Sequence, residues 1–163
     1  DVSQQVADTF PWGIWATNGS STITPVFWGD QIKVVPLEGR RFRHGPTGTD
    51  GRGDCYALIK DFYRQELGID LPEGPRDSEW WHRKQDLYLS NMKRAGFRVI
   101  SIDEVKPGDV FFAQVNASVP NHGGILLENG LLLHHLSNRV SRKEPLHGWK
   151  KHIVRWIRHK QNE

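Results

Sequence analysis

Asp54-Cys55 stands at the head of an amphipathic run, and Asn121-His122-Gly123-Gly124 and then His134 follow far downstream. A thiolate attacks carbonyl carbon, and an imidazole is the side chain best matched to take up and return its proton near neutrality. Cys55 is the single cysteine of the chain, so it can form neither an intrachain disulfide nor a thiolate zinc site. Reactivity or plain burial remain. Placed first in a helix, its sulfur would face unpaired backbone amides and the positive end of the helix dipole, both of which favour the thiolate. His122 is then the candidate to exchange a proton with Cys55, and a second histidine the candidate to hold the other ring nitrogen of His122.

The elements that must position these groups are legible nearby. Residues 55–67 put Leu58, Ile59, Phe62 and Tyr63 on one stripe and Lys60, Asp61, Arg64 and Gln65 on the other. Asp54 suits an N-cap and Gly68 a stop, so a helix is expected from 55 to 67. Segments 122–127 and 131–136 flank Glu128-Asn129-Gly130, a hairpin signal. A three-residue loop with Gly130 left-handed sets Gly124 opposite His134, making His122 and His134 diagonal neighbours on one face. A two-residue Asn129-Gly130 turn instead sets Gly124 opposite His135, and His135 takes that role. Side chains alternate along a strand, so only one of the two is expected to line the site. That divergence, with no acidic cluster beside it, disfavours a histidine metal site.

Elsewhere, residues 39–54 form a glycine-rich loop whose spacing fits neither a dinucleotide fingerprint nor a phosphate loop. A second helix is expected from 77 to 95, with Trp80, Trp81, Leu87, Tyr88 and Met92 inward. Strands are expected at 97–102, 110–115 and 153–157, the first two separated by a Pro107-Gly108 turn. Helices first and strands afterwards argue for an α+β architecture.

At 163 residues one core is the default, with 37% hydrophobic and 25% charged residues, a mean hydropathy of −0.60 and no apolar run of membrane-spanning length. The chain opens on Asp1 without a basic and apolar leader pattern. Net charge is +3, and Arg139, Arg142, Lys143, Lys150, Lys151, Arg155, Arg158 and Lys160 crowd the last quarter. Such a run suits either an anionic partner or a solvated basic edge strand. No nucleic-acid recognition motif accompanies it, so no specific nucleic-acid partner is expected. Residues 1–38, with Phe10-Pro11-Trp12-Gly13-Ile14-Trp15 and Pro25-Val26-Phe27-Trp28, read as a Trp- and Gly-rich arm of turns and short strands, distinct from a domain over 39–163.

Residues 39–140 carry a resemblance. Asp54-Cys55-Tyr56-Ala57, His122-Gly123-Gly124-Ile125 and His134 resemble the motifs of the NlpC/P60 superfamily of cysteine peptidases. Pro107-Gly108-Asp109-Val110, Leu133-His134-His135 and Ser141-Arg142-Lys143-Glu144-Pro145 resemble more narrowly the members found in tail-assembly proteins of lambda-like bacteriophages. The resemblance implies a papain-like fold, N-terminal helices on an antiparallel sheet, and no cofactor. It implies Cys55 as nucleophile, His122 as general base and acid, and His134 as the orienting residue, with Phe42, Asp54 and Tyr56 beside the substrate. The implied substrate is bacterial peptidoglycan, cut between D-γ-glutamyl and a diamino acid of the stem peptide, and the implied setting is the phage tail tip, acting at the host periplasm or cell wall, with other phage tail proteins as partners. Two departures stand out: Tyr56 replaces the usual serine, and Phe42 stands where the family has a tyrosine. Oxyanion stabilisation is then expected from backbone amides, notably that of Cys55. A tail component that keeps the fold with an idle site is the rival reading.

Overall fold

Leu58, Ile59, Phe62 and Tyr63 face inward from helix α1 (Cys55–Leu67), and a six-stranded antiparallel sheet supplies the surface that covers them. The computed structural model describes residues 35–74, 80–83 and 86–163, together with the backbone of 12–14 and 26–28. In chain order the sheet strands are β3 (Phe97–Ile100), β4 (Val110–Ala113), β5 (His122–Leu126), β6 (Leu131–His134), β7 (Arg142–Pro145) and β8 (Ile153–His159). Their spatial order is β3-β8-β4-β5-β6-β7, so the last strand inserts between the first two and the centre of the sheet carries the apolar runs. With helices on this sheet the architecture is α+β.

The helix begins and ends where its local chemistry dictates. The Asp54 carboxylate accepts from the Ala57 amide at 2.8 Å, and Gly68 closes the helix at φ 66°, a left-handed conformation that a side chain would strain. Side chains alternate across β4 and β5, so Val110, Phe112 and Ile125 pack with the helix. Phe111, Leu126, Leu132, Trp149 and Trp156 fill a second core on the opposite face. Tyr63 reaches across the first core and donates to the Gly108 carbonyl at 2.8 Å, which satisfies a fully buried hydroxyl.

The segment entering the helix is tied to the sheet's far end. Arg40, buried, pairs with Asp61 of α1 at 2.5 Å, its amide donates to Ser141 Oγ at 3.0 Å, and Ser141 Oγ donates to the Leu37 carbonyl at 2.8 Å. The basic residues of the last quarter do not make one solvated patch. Arg158 is buried on Asp109, with both guanidinium contacts at 2.8 Å, Arg142 pairs with Glu144, and Lys143 pairs with Glu38.

Two expectations need correction. Instead of one helix over 77–95, the described residues hold a 3₁₀ turn, Trp80–Arg83, and a six-residue helix α2, Leu87–Met92; 77–79 and 84–85 lie outside them. The cause is Asp86, whose carboxylate caps the Leu89 amide at 2.8 Å and so starts a new helix. The strand expected at 97–102 stops at Ile100 because Ser101 and Glu104 form a capping box that opens a 3₁₀ turn. Strand β7, made of Arg142, Lys143, Glu144 and Pro145, was not expected from sequence, since a charged edge strand lacks the apolar alternation that marks one.

The chain divides into two compact units, Asp1–Val35 and Pro36–Glu163. Within the first unit, β1 (Trp12–Ile14) pairs antiparallel with β2 (Val26–Trp28), Trp12 opposite Trp28.

Candidate active site

The loop before α1 is shaped by hydrogen bonds that converge on Asp54. Besides capping Ala57, its carboxylate accepts from the Gly45 amide at 3.0 Å, while Phe42 bridges to Gly53 in a parallel β-contact. A Cβ on Gly53 would lie 2.8 Å from that of Ala57, so this close approach of loop and helix requires glycine. Cys55 thereby becomes the first helical residue, 8% exposed, on the wall of a cavity of about 360 Å3. Phe42, Tyr56, Tyr88, His122 and His135 line the same cavity. The Tyr88 hydroxyl lies 2.9 Å from Cys55 Sγ, and the Tyr56 hydroxyl donates to the Pro72 carbonyl at 2.7 Å.

The turn between β5 and β6 decides which histidine meets His122. Leu127 donates to the Leu131 carbonyl at 2.7 Å, Asn129 and Gly130 take φ 58° and 68°, and Gly124 falls opposite His134. This is the three-residue register. His122 and His134 therefore share a face, and His122 Nε2 lies 3.1 Å from His134 Nδ1. The line continues outward, with His134 Nε2 3.1 Å from Glu144 Oε2, which also accepts from the Trp149 indole at 2.7 Å. The Trp149 ring covers both imidazoles, at 5.3 Å and 4.5 Å between centroids.

Burial sets the charge states. It pushes the His122 pKa well below the ordinary histidine value, and His134 and His135 push it the same way. His134 is lowered by burial, against which the Glu144 carboxylate pulls upward. For Glu144, burial raises the pKa, but the Trp149 indole, His134 and Arg142 together outweigh it and the carboxyl sits below its usual range. A neutral His122 held by a neutral His134 that an anion orients is arranged to accept a proton and to share the charge once it has one.

A nucleophile candidate at a helix start, with a base candidate and its orienting partner on neighbouring strands, is a combination that sequence comparison can place. The NlpC/P60 family model matches residues 39–158. The chain belongs to the NlpC/P60 family. It is 39% identical over 115 residues to tail tip assembly protein K of Escherichia phage lambda, a match covering 70% of this chain and 54% of that protein. It is 33% identical over 165 residues to protein K of Escherichia phage N15, covering 98% of this chain and 63% of that one. The chain thus spans little more than half the length of these curated relatives. NlpC1 of Trichomonas vaginalis superposes with a TM-score of 0.53 at 20% identity, over 75% of this chain and 39% of that one. A lipoprotein-like NLP/P60 protein of Staphylococcus aureus gives a TM-score of 0.53 at 21% identity, over 88% and 45%.

Within this NlpC/P60 domain, the residues singled out from sequence meet unevenly. Cys55, His122, Phe42, Asp54 and Tyr56 all border the cavity. His134 stands behind His122 instead of on the wall. As alternation along a strand requires, only one of the adjacent pair borders the cavity, and it is His135, its ring edge-on to Phe42 at 5.2 Å. Sequence reasoning missed three contributors: Tyr88, Glu144 and Trp149. Glu144 alone had a signal, since it lies in one of the segments that carried the family resemblance. Among the described residues, no group of three His, Cys, Asp or Glu could hold a metal ion, and no helix is long and apolar enough to cross a membrane.

Proposed function

We propose that this domain is a phage tail-tip cysteine endopeptidase that cleaves amide bonds in peptidoglycan stem peptides, between D-γ-glutamyl and a diamino acid. The observation that carries the reading is that His122, backed by the line of His134 and Glu144, borders the same cavity as Cys55 at its helix start. His122 Nε2 is engaged by His134, so Nδ1 is the nitrogen that exchanges a proton with Cys55. The sulfur lone pair forms a bond to the carbonyl carbon while the carbonyl π pair moves to oxygen, beside the Cys55 backbone amide. On collapse the carbon–nitrogen bond breaks, and the leaving amine takes the proton from His122. Water then gives a proton to His122 and its hydroxide to the thioester carbon, releasing the acid and the thiol. Phe42, Asp54 and Tyr56 form the groove around the substrate, with Asp54 acting also as the brace of the loop.

The protein K relatives support a place in the phage tail, with other tail proteins as partners; the host periplasm or cell wall as the site of action follows from the proposed peptidoglycan substrate. Incubation of the purified chain with muropeptides, followed by mass spectrometry, tests the activity. Wild type is expected to release products cut at the γ-glutamyl bond, and Cys55→Ala none. Identical product patterns from the two would end the peptidase reading. They would favour the second one, a structural tail protein with an idle site, which the assembly role in the relatives' names supports.

A further inference from the structure

The hydroxyl that meets Cys55 comes from helix α2, a part of the chain that reads from sequence as packing alone. Tyr88 Oη lies 2.9 Å from Cys55 Sγ. Its ring is stacked on Phe112 at 4.8 Å with an interplanar angle of 17°, and Trp80 meets it edge-on at 5.4 Å. The helix below it is fixed by the Asp86 cap. Two aromatic walls and a capped helix leave this phenol little rotational freedom, so the placement of its oxygen on the sulfur belongs to the fold.

A phenol with an ordinary pKa near 10 keeps its proton at neutral pH, and a thiolate has only lone pairs to offer, so between them the phenol must be the donor. We infer that Tyr88 is a catalytic residue of the Cys55 chemistry: its O–H donates to the thiolate once His122 has drawn off the proton, and to the oxyanion once attack has moved the charge there. The second half rests on the peptidase reading above. Tyr88 keeps its proton throughout, and only the acceptor changes as the sulfur pair becomes a bond and the π pair settles on oxygen. Donation to the thiolate favours ionisation at some cost in nucleophilicity. With a Brønsted slope of about 0.4–0.5, each tenfold gain in thiolate loses roughly threefold in intrinsic reactivity, leaving a net gain near neutrality of about threefold.

Tyr88→Phe removes the oxygen and keeps both ring contacts. Alkylation of Cys55 by iodoacetamide is followed against pH in the full chain, alongside muropeptide cleavage and thermal unfolding. A charge-assisted hydrogen bond predicts that the alkylation midpoint of the variant rises by about one to two pH units. Loss of one oxyanion donor predicts a fall in kcat/KM of about 100-fold. Coincident alkylation midpoints would overturn the inference, whatever the peptidase result. Separated midpoints with no cleavage by wild type would sustain the thiolate contact while removing the peptidase reading. The wild-type chain gives a second measurement that no folding defect can confuse. It has only three tyrosines, and blocking Cys55 with iodoacetamide should lower the titration midpoint of Tyr88, followed by NMR of the ring carbons, because the anion opposing its ionisation is gone. An unmoved Tyr88 resonance would equally refute the contact.

Discussion

Gly124→Ala is expected to disturb the histidine pair through the backbone, without touching any polar group of the site. Gly124 lies opposite His134 on β6 and beside Phe111 on β4. A Cβ there would stand 2.7 Å from His134 Cβ and 2.8 Å from the Phe111 ring, and would press on the Leu133 carbonyl oxygen. The first of these is about 0.8 Å inside the ~3.5 Å at which carbon atoms meet comfortably. None of the three neighbours is the loose end of a flexible side chain, and neither the Leu133 carbonyl nor His134 Cβ moves with a rotamer, so β5 and β6 must part and the Phe111 ring must shift. Overpacking of this kind costs about 1–3 kcal/mol. For a chain of this size that lowers the melting temperature by roughly 2–12 °C. The displaced His134 would also lower kcat/KM by up to about 100-fold, as a misplacement near 1 Å does. Differential scanning calorimetry beside Gly148→Ala is the assay, since a Cβ on Gly148 meets nothing within 4 Å. If the two variants melt together, the close approach of β5 and β6 is not what glycine serves at 124.

Glu144→Gln keeps the shape of the relay and removes its charge. With Glu144 no longer raising the His134 pKa, kcat/KM should fall roughly 10- to 100-fold and the acid limb of the pH–rate profile should move to lower pH; an unshifted limb would deny Glu144 a positioning role. Stability should depend on pH through the buried histidines His122, His134 and His135, all lowered by burial. Below about pH 6.5 the unfolded chain binds protons that the folded chain refuses, so each group removes up to about 1.4 kcal/mol per pH unit as pH falls towards its folded pKa. Above that range they contribute no slope. Denaturant midpoints that stay level between about pH 7 and pH 5 would contradict the burial of these rings.

What sequence revealed follows how local each cause is. Helix α1 was legible to the residue because Asp54 and Gly68 act on their own turn. The β5–β6 register came down to two alternatives because one Asn-Gly turn carried it. The 77–95 helix was overdrawn because periodicity runs smoothly past Asp86, whose capping bond shows only once the Leu89 amide is placed. Strand β7 hides its pairing in charges, and with it hides Glu144. Trp149 and Tyr88 reach the site from distant turns and helices, and nothing in their immediate neighbours announces a target. The N-terminal segment reads as an arm of turns and short strands, and in its described backbone Trp12–Ile14 pairs with Val26–Trp28.

The loop of Glu128, Asn129 and Gly130 also acts as a selector. Two histidines stand side by side just beyond it, and whether Leu127 or Glu128 faces Leu131 determines which is handed to His122. Drawing Glu128 into the ladder opposite Leu131 would present His135 in place of His134, cutting off Glu144 while leaving every chemical group in the chain intact. Changes at the loop should therefore be tolerated only where they keep Leu127 across from Leu131.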